Sequence, residues 1–158
     1  MKSLVIFDSL YGNTEKIAQS ISHALSEQGE VAILRVGEGL TDQLARVELL
    51  VVGSPTQRLR ATDGMNNLLN SIPKNGLKDL KVAAFDTRLT WEAIEKTPPL
   101  PFFVKILGYA AERIARQLKS KGGELVIPPE GFFVQGMEGP LVEGEVERAA
   151  AWARKLFA

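Results

Sequence analysis

Residues 4–18 read Leu4-Val5-Ile6-Phe7-Asp8-Ser9-Leu10-Tyr11-Gly12-Asn13-Thr14-Glu15-Lys16-Ile17-Ala18. The apolar run Leu4–Phe7 has strand character, and the hydroxyl- and amide-rich Ser9–Thr14 turns the chain. From Thr14 an amphipathic pattern begins, with Ile17, Ile21, Ala24 and Leu25 on one face and Gly29 as its stop. A helix starting there leaves backbone N–H groups unpaired and carries partial positive charge, which favours an anion. Ser9, Tyr11, Asn13 and Thr14 can add side-chain donors, and Gly12 permits positive φ and close approach. The pattern is a phosphate cradle without a lysine. Neither G-x-G-x-x-G nor the G-x-x-x-x-G-K of the P-loop is present. A plain polar turn with Asn13 or Thr14 as helix cap is the competing reading.

Outward from this loop, strands and helices alternate. Val31–Val36 reads as strand two. A short helix near Thr41–Arg46 follows, with Leu40 and Leu44 turned inward. Leu49–Gly53 has the unbroken apolar character of a buried parallel strand. Asp63–Ser71 reads as a helix ended by Pro73, Lys81–Asp86 as strand four, and Tyr109–Lys121 as a helix stopped by Gly122-Gly123. Strand five starts at Glu124–Ile127, is interrupted by Pro128-Pro129, and resumes at Gly131–Val134. Glu143–Phe157 closes the chain as a helix with Val146, Ala149, Ala150, Ala153 and Leu156 facing the core. The expected fold is a single α/β domain over 1–158. It is a doubly wound, five-stranded parallel sheet in the order 2-1-3-4-5 between two helical layers, with its ligand site at the carboxyl ends of strands one, three and four. Leu89–Leu107, holding Pro98, Pro99 and Pro101, has no clear period and reads as a long loop.

Composition narrows the function. The 158 residues are 45% hydrophobic and 24% charged, ordinary for a globular domain. Lys+Arg and Asp+Glu balance at 19 each, so no strong field draws the chain to nucleic acid or to a membrane. There is no Cys, hence no disulfide, thiol centre or iron–sulfur cluster, and the single His excludes a His-cluster metal site. No apolar run reaches membrane-spanning length and no leader is evident, so a cytoplasmic protein is expected.

Ser9-x-Tyr11-Gly12-Asn13-Thr14-Glu15 after a first strand resembles the FMN-phosphate loop of flavodoxins, usually Thr/Ser-x-Thr-Gly-Asn-Thr, with Tyr11 where the common form has Thr. Gly53-Ser54-Pro55-Thr56 resembles their second loop. Phe85-Asp86-Thr87-Arg88 stands where their third loop begins. Phe133-Val134, Gly139-Pro140-Leu141 and Gly144-Glu145 to Trp152 are similar to the closing segment of bacterial and archaeal members. The resemblance covers nearly the whole chain and implies FMN as cofactor.

On that resemblance, the cofactor-binding residues are Ser9, Leu10, Tyr11, Gly12, Asn13 and Thr14 for the phosphate. Ser54, Pro55, Thr56, Gln57 and Arg58 come from loop two, and Thr87, Arg88 and Trp91 from loop three. Trp91 stacks on one face of the ring and Leu59 covers the other, while the apolar cluster of Phe102, Phe103, Ile106 and Leu107 packs on the core, with cover of the site or a dimer contact as the other readings. Arg58 and Arg60 bring positive charge near the ring, and Arg88 either meets the ligand or pairs with Asp86. Asp8 caps the N–H groups of loop one, His23 lies on the surface and Trp152 in the core. No catalytic acid or base and no metal is called for. The resemblance implies an electron carrier whose flavin cycles between oxidised, semiquinone and hydroquinone forms. Its partner is a redox protein or a small-molecule acceptor, and it acts as monomer or homodimer. Two alternatives remain: an FMN-dependent NAD(P)H:quinone-type reductase, and a flavodoxin-like module that has lost FMN and serves protein binding.

Overall fold

In the computed structural model, which describes residues 1–38, 41–57 and 59–157, strands and helices alternate as the sequence suggests. The strands are β1 (Lys2–Phe7), β2 (Glu30–Arg35), β3 (Leu49–Pro55), β4 (Lys81–Leu89), β5 (Glu124–Leu125) and β6 (Glu130–Val134). The helices are α1 (Asn13–Leu25), α2 (Thr41–Leu44), α3 (Asp63–Ser71), α4 (Trp91–Glu95), α5 (Leu100–Leu107), α6 (Ala110–Ser120) and α7 (Glu145–Arg154). Leu40 and Arg58 lie outside the described residues.

All strand pairs are parallel, in the order β2-β1-β3-β4-β5, with β6 also paired to β4. Successive residues of the central strands point to opposite faces, and both faces are covered. Leu4, Ile6, Leu50, Val52, Val82 and Ala84 pack with α3 and α6. Val5, Phe7, Leu49, Val51, Ala83 and Phe85 pack with α1 and α7. Two-sided burial is why these strands read as continuous apolar runs rather than alternating ones. On the second face Phe85, Phe132 and Trp152 meet edge to face at centroid distances of 6.1–6.3 Å, so Trp152 is a core residue. Val146, by contrast, is exposed, and only Ala149, Ala153 and Leu156 of its expected stripe are fully buried.

One element meets the expectation and one departs from it. Strand five is two pieces on one edge of β4, broken where the sequence suggests. The chain advances from Leu125 to Glu130 while β4 advances only from Val82 to Phe85, so Pro128-Pro129, which have no N–H to give, stand out of the ladder. And residues 90–107 are not a long loop. β4 runs on to Leu89, Thr90 caps α4 by accepting the Ala93 N–H at 3.2 Å, and α5 follows with a proline in its first turn. Both helices are too short for a periodic signature, and their prolines masked them.

No helix of the described residues is long and apolar enough to cross a membrane.

Candidate cofactor site

The strand register places Phe7, Gly53 and Phe85 side by side, with Pro55 beside Thr87 one turn further. The loops that leave these carboxyl ends enclose a cavity of about 600 Å³, within the range of cofactor clefts, roughly 300–1,000 Å³.

Loop one forms its polar end. Ser9 Oγ accepts the N–H of Gly12 at 3.1 Å and of Glu15 at 3.3 Å, which leaves its hydroxyl hydrogen to donate. Gly12 has φ 89°, the left-handed region glycine tolerates. The N–H groups of Leu10, Tyr11, Asn13 and Thr14 have no acceptor among the described residues, while the Lys16 N–H begins the helical ladder on Gly12. Several N–H donors, the α1 dipole and the Ser9 hydroxyl therefore converge on one point. Asp8 takes the Ser9 N–H at 2.9 Å and the Thr62 hydroxyl at 2.5 Å. It ties loop one to loop two as a cap.

Two loop-one side chains do other work than expected. The Asn13 amide donates to the Glu138 carbonyl at 3.2 Å and holds the 135–140 segment over the loop, so its contribution to an anion is its backbone N–H. Thr14 and Thr87 hydroxyls meet at 2.7 Å, both buried. This contact joins loops one and three and leaves the pair one O–H to give.

Loop two is a tight reversal. Gln57 and Arg60 exchange both backbone hydrogen bonds, at 2.7 and 2.9 Å, and Leu59 takes φ 64° between them. Positive φ costs a non-glycine residue energy, and here it turns Leu59 toward the cavity, which it lines with Pro55, Thr56 and Gln57. Ser54 is fully buried and does not line the cavity; its Oγ accepts the Thr62 N–H at 3.1 Å. Its place in the expected ligand set gives way to holding loop two. Thr56 accepts the Ala110 N–H at 3.2 Å, and Arg60 pairs with Asp63 at the exposed rim.

Loop three differs most. Trp91 does not line the cavity. Its indole N–H donates to Glu95 at 2.5 Å, one turn along α4, and Lys105 lies 5.8 Å over its ring. The i, i+4 spacing puts Trp91 and Glu95 on the outer face of α4, so Ile94, 2% exposed, turns inward and lines the cavity instead. The aromatics that line it are Tyr11 of loop one and Tyr109, whose ring centroid lies 3.7 Å from the Arg88 guanidinium carbon. Burial raises the Tyr109 phenol above its ordinary pKa, with Arg88 opposing. Arg88 also forks onto Asp86, Nε to Oδ1 at 2.7 Å and Nη2 to Oδ2 at 2.9 Å, and the Ala111 N–H adds a third bond to that carboxylate at 2.9 Å. Asp86 is fully buried; burial holds its carboxyl above the ordinary range against the pull of Arg88.

Sequence reasoning did not find Tyr109 or Arg35. Arg35 pairs with Phe7 across β1–β2, bonds the Ser9 carbonyl at 2.9 Å and Glu15 at 3.1 Å, and so braces loop one from the side. The signal for both was positional. In this strand order the end of strand two and the start of the helix after strand four lie at the same carboxyl edge as the site.

A family model of the flavodoxin domain matches residues 4–133. The chain belongs to the flavodoxin domain family. Among solved structures it is similar to an oxidised flavodoxin 1 from Bacillus cereus, at 17% identity and TM-score 0.76, covering 99% of this chain and 97% of that one. It is also similar to a flavodoxin from the domain Archaea, at 19% identity and TM-score 0.73, covering 99% and 96%. The rubredoxin oxygen:oxidoreductase of Desulfovibrio gigas matches at 19% identity and TM-score 0.73, over 98% of this chain but 35% of that one. At these identities the likeness is one of fold.

Proposed function

We propose that this protein binds FMN at the carboxyl ends of β1, β3 and β4 and serves as a flavin electron carrier for a redox partner. The observation that carries the reading is the convergence of loop-one N–H groups, the start of α1 and the Ser9 hydroxyl at the polar end of a cavity whose other end is apolar. That donor set fits a phosphate monoester. Leu59, Ile94 and Tyr109 offer flat or apolar cover, and the Gln57 side chain offers polar groups at the edge. FMN supplies the electron chemistry; the protein binds it, orients it and sets its electrostatic surroundings. The site needs no acid or base of its own for that role.

The family membership and the fold support the reading, as does the lining of one cavity by loops one, two and three. The test is titration of the purified protein with FMN and with riboflavin, followed by flavin absorbance and fluorescence. FMN should bind at least about a hundredfold more tightly, because each hydrogen bond to a charged group contributes about 1.5–3 kcal/mol and riboflavin forfeits several. Equal binding of the two would defeat the assignment of loop one, and binding of neither would favour a module without flavin.

A reductase reading has one observation on its side. The outer face of α5, beside the cavity wall formed by Leu100 and Val104, exposes Phe102, Phe103, Ile106 and Leu107. Turnover of NAD(P)H with an added quinone by the FMN-loaded protein would establish that alternative.

A further inference from the structure

Arg88 stands on the cavity wall with its guanidinium fixed on three sides. Asp86 takes Nε and Nη2, the Tyr109 ring covers one face, and the Gly131 backbone lies so close that a Cβ there would overlap the guanidinium. Its remaining nitrogen, Nη1, has no acceptor among the described residues. Asp86 is fully buried and does not line the cavity, whereas Arg88 does. A buried ion pair is weak evidence for stability, since neutral residues of similar volume often replace it at no cost. The arrangement is a fixed ion pair whose positive member reaches the cavity wall and whose negative member does not. Charge interactions fall with distance, so the nearer Arg88 outweighs the deeper Asp86 for anything bound there. Among the described residues, the other charged pair at the cavity, Arg60 with Asp63, sits at the solvent rim, where screening is strong.

We propose that the Asp86–Arg88–Tyr109 unit makes this cavity discriminate by charge, holding reduced FMN more tightly than it would if the unit were neutral. The inference rests on the FMN reading above. Oxidised FMN that takes up two electrons and one proton gains one negative charge on its ring, so a fixed cation on the wall favours the reduced form selectively. Arg88 is a contributor to binding, and Asp86 and Tyr109 are positioning residues that act through it.

The experiment measures the dissociation constant of oxidised FMN by titration and the two-electron midpoint potential of the bound flavin by dithionite titration against redox dyes. The thermodynamic cycle then yields the ratio of reduced to oxidised dissociation constants. The double variant Asp86→Asn with Arg88→Met removes both charges without stranding either. Its ratio should rise about tenfold, a fall in potential of about 30 mV for a two-electron couple. Asp86→Asn alone leaves the cation uncompensated and should move the ratio the other way. Arg88→Lys should stay close to the parent. A merely structural role would weaken both redox forms alike and leave the ratio unmoved. An unchanged ratio in the double variant overturns the proposal, as does a shift of the same sign in Asp86→Asn. A parent that binds neither form of FMN defeats the FMN reading and this inference with it, and the first titration distinguishes that outcome from the others.

Discussion

At the scale of single residues, the contrast between Trp91 and Tyr109 decides which aromatic beyond loop one matters. Trp91 spends its N–H on Glu95 and turns its ring outward, whereas Tyr109 precedes α6 with its ring against Arg88 at the cavity wall. Trp91→Ala should therefore leave FMN affinity within about 0.5 kcal/mol of the parent, as for most surface changes. Tyr109→Ala should weaken it by about 1–3 kcal/mol, the range for loss of an aromatic against a flat ring, with part of the loss coming through Arg88. Flavin titrations of the two variants check this, and the reverse ranking would return Trp91 to the site. The sequence placed Trp91 near the end of strand four, which is correct; it carried no signal for the face of a five-residue helix. The backbone course of Ser9–Thr14 was legible because it follows from chain position, where side-chain rotation does not enter. The hydrogen-bond partners of the Ser54 and Asn13 side chains were not, for the same reason turned around. A hydroxyl or amide near a ligand edge serves the ligand or the loop according to its rotamer, and here Thr62 and Glu138 claim them.

At the scale of elements, the joint between β6 and α7 shows how the edge of the sheet is finished. Glu145, in the first turn of α7, accepts the outward Phe133 N–H at 2.8 Å and is itself forked by Arg148. Arg148 also donates to the Gly131 carbonyl and lies over the Phe132 ring at 4.6 Å. Edge N–H and C=O groups that could pair with another chain are thereby taken up by side chains. Burial pushes the Glu145 carboxyl up, but the hydrogen bonds from Arg148 and Phe133 and the Arg148 charge outweigh it, so its folded pKa lies below the ordinary glutamate value. A lowered folded pKa means the contribution to stability is full above the unfolded pKa, about 4.3, and disappears as pH falls through the folded value. Glu145→Gln should cost about 1–3 kcal/mol at pH 7, and the gap to the parent should close below about pH 4. Urea unfolding at a series of pH values reads this directly; a gap that does not narrow as pH falls from 7 to the acid end of the series would assign the loss to packing. The sequence showed the helix and the strand, since both have clear patterns. The joint itself was hidden, because it links residues that only the tertiary fold brings together.

At the scale of the whole molecule, the strand order and the two buried faces were legible from alternation and from the continuous apolar runs. Those features are set by many residues acting together, and no single rotamer can undo them. The region between β4 and α6 was not, because α4 and α5 are short and held by few side chains: Ile94 and Val104 are their buried anchors. Phe102 and Ile106 stand 61% and 63% exposed on the outer face of α5, so that face adds nothing to its local stability. Segments with few buried contacts open locally at far lower cost than the global unfolding free energy. Limited proteolysis of the free protein should accordingly cut first within residues 90–108. Ile94, Leu100 and Val104 line the cavity, so a ligand seated there would bury more of their surface and raise the cost of opening. Saturation at a hundred times the dissociation constant stabilises by about 2.7 kcal/mol, which would slow cleavage through this opening by about a hundredfold. Adding FMN should slow the first cut accordingly while riboflavin at equal concentration protects less. Mass spectrometry of the earliest fragments, with and without FMN, is the measurement. A first cut elsewhere would show that α4 and α5 are firmly docked, and an unchanged rate at this site under FMN would show that they are not part of the wall that closes on it.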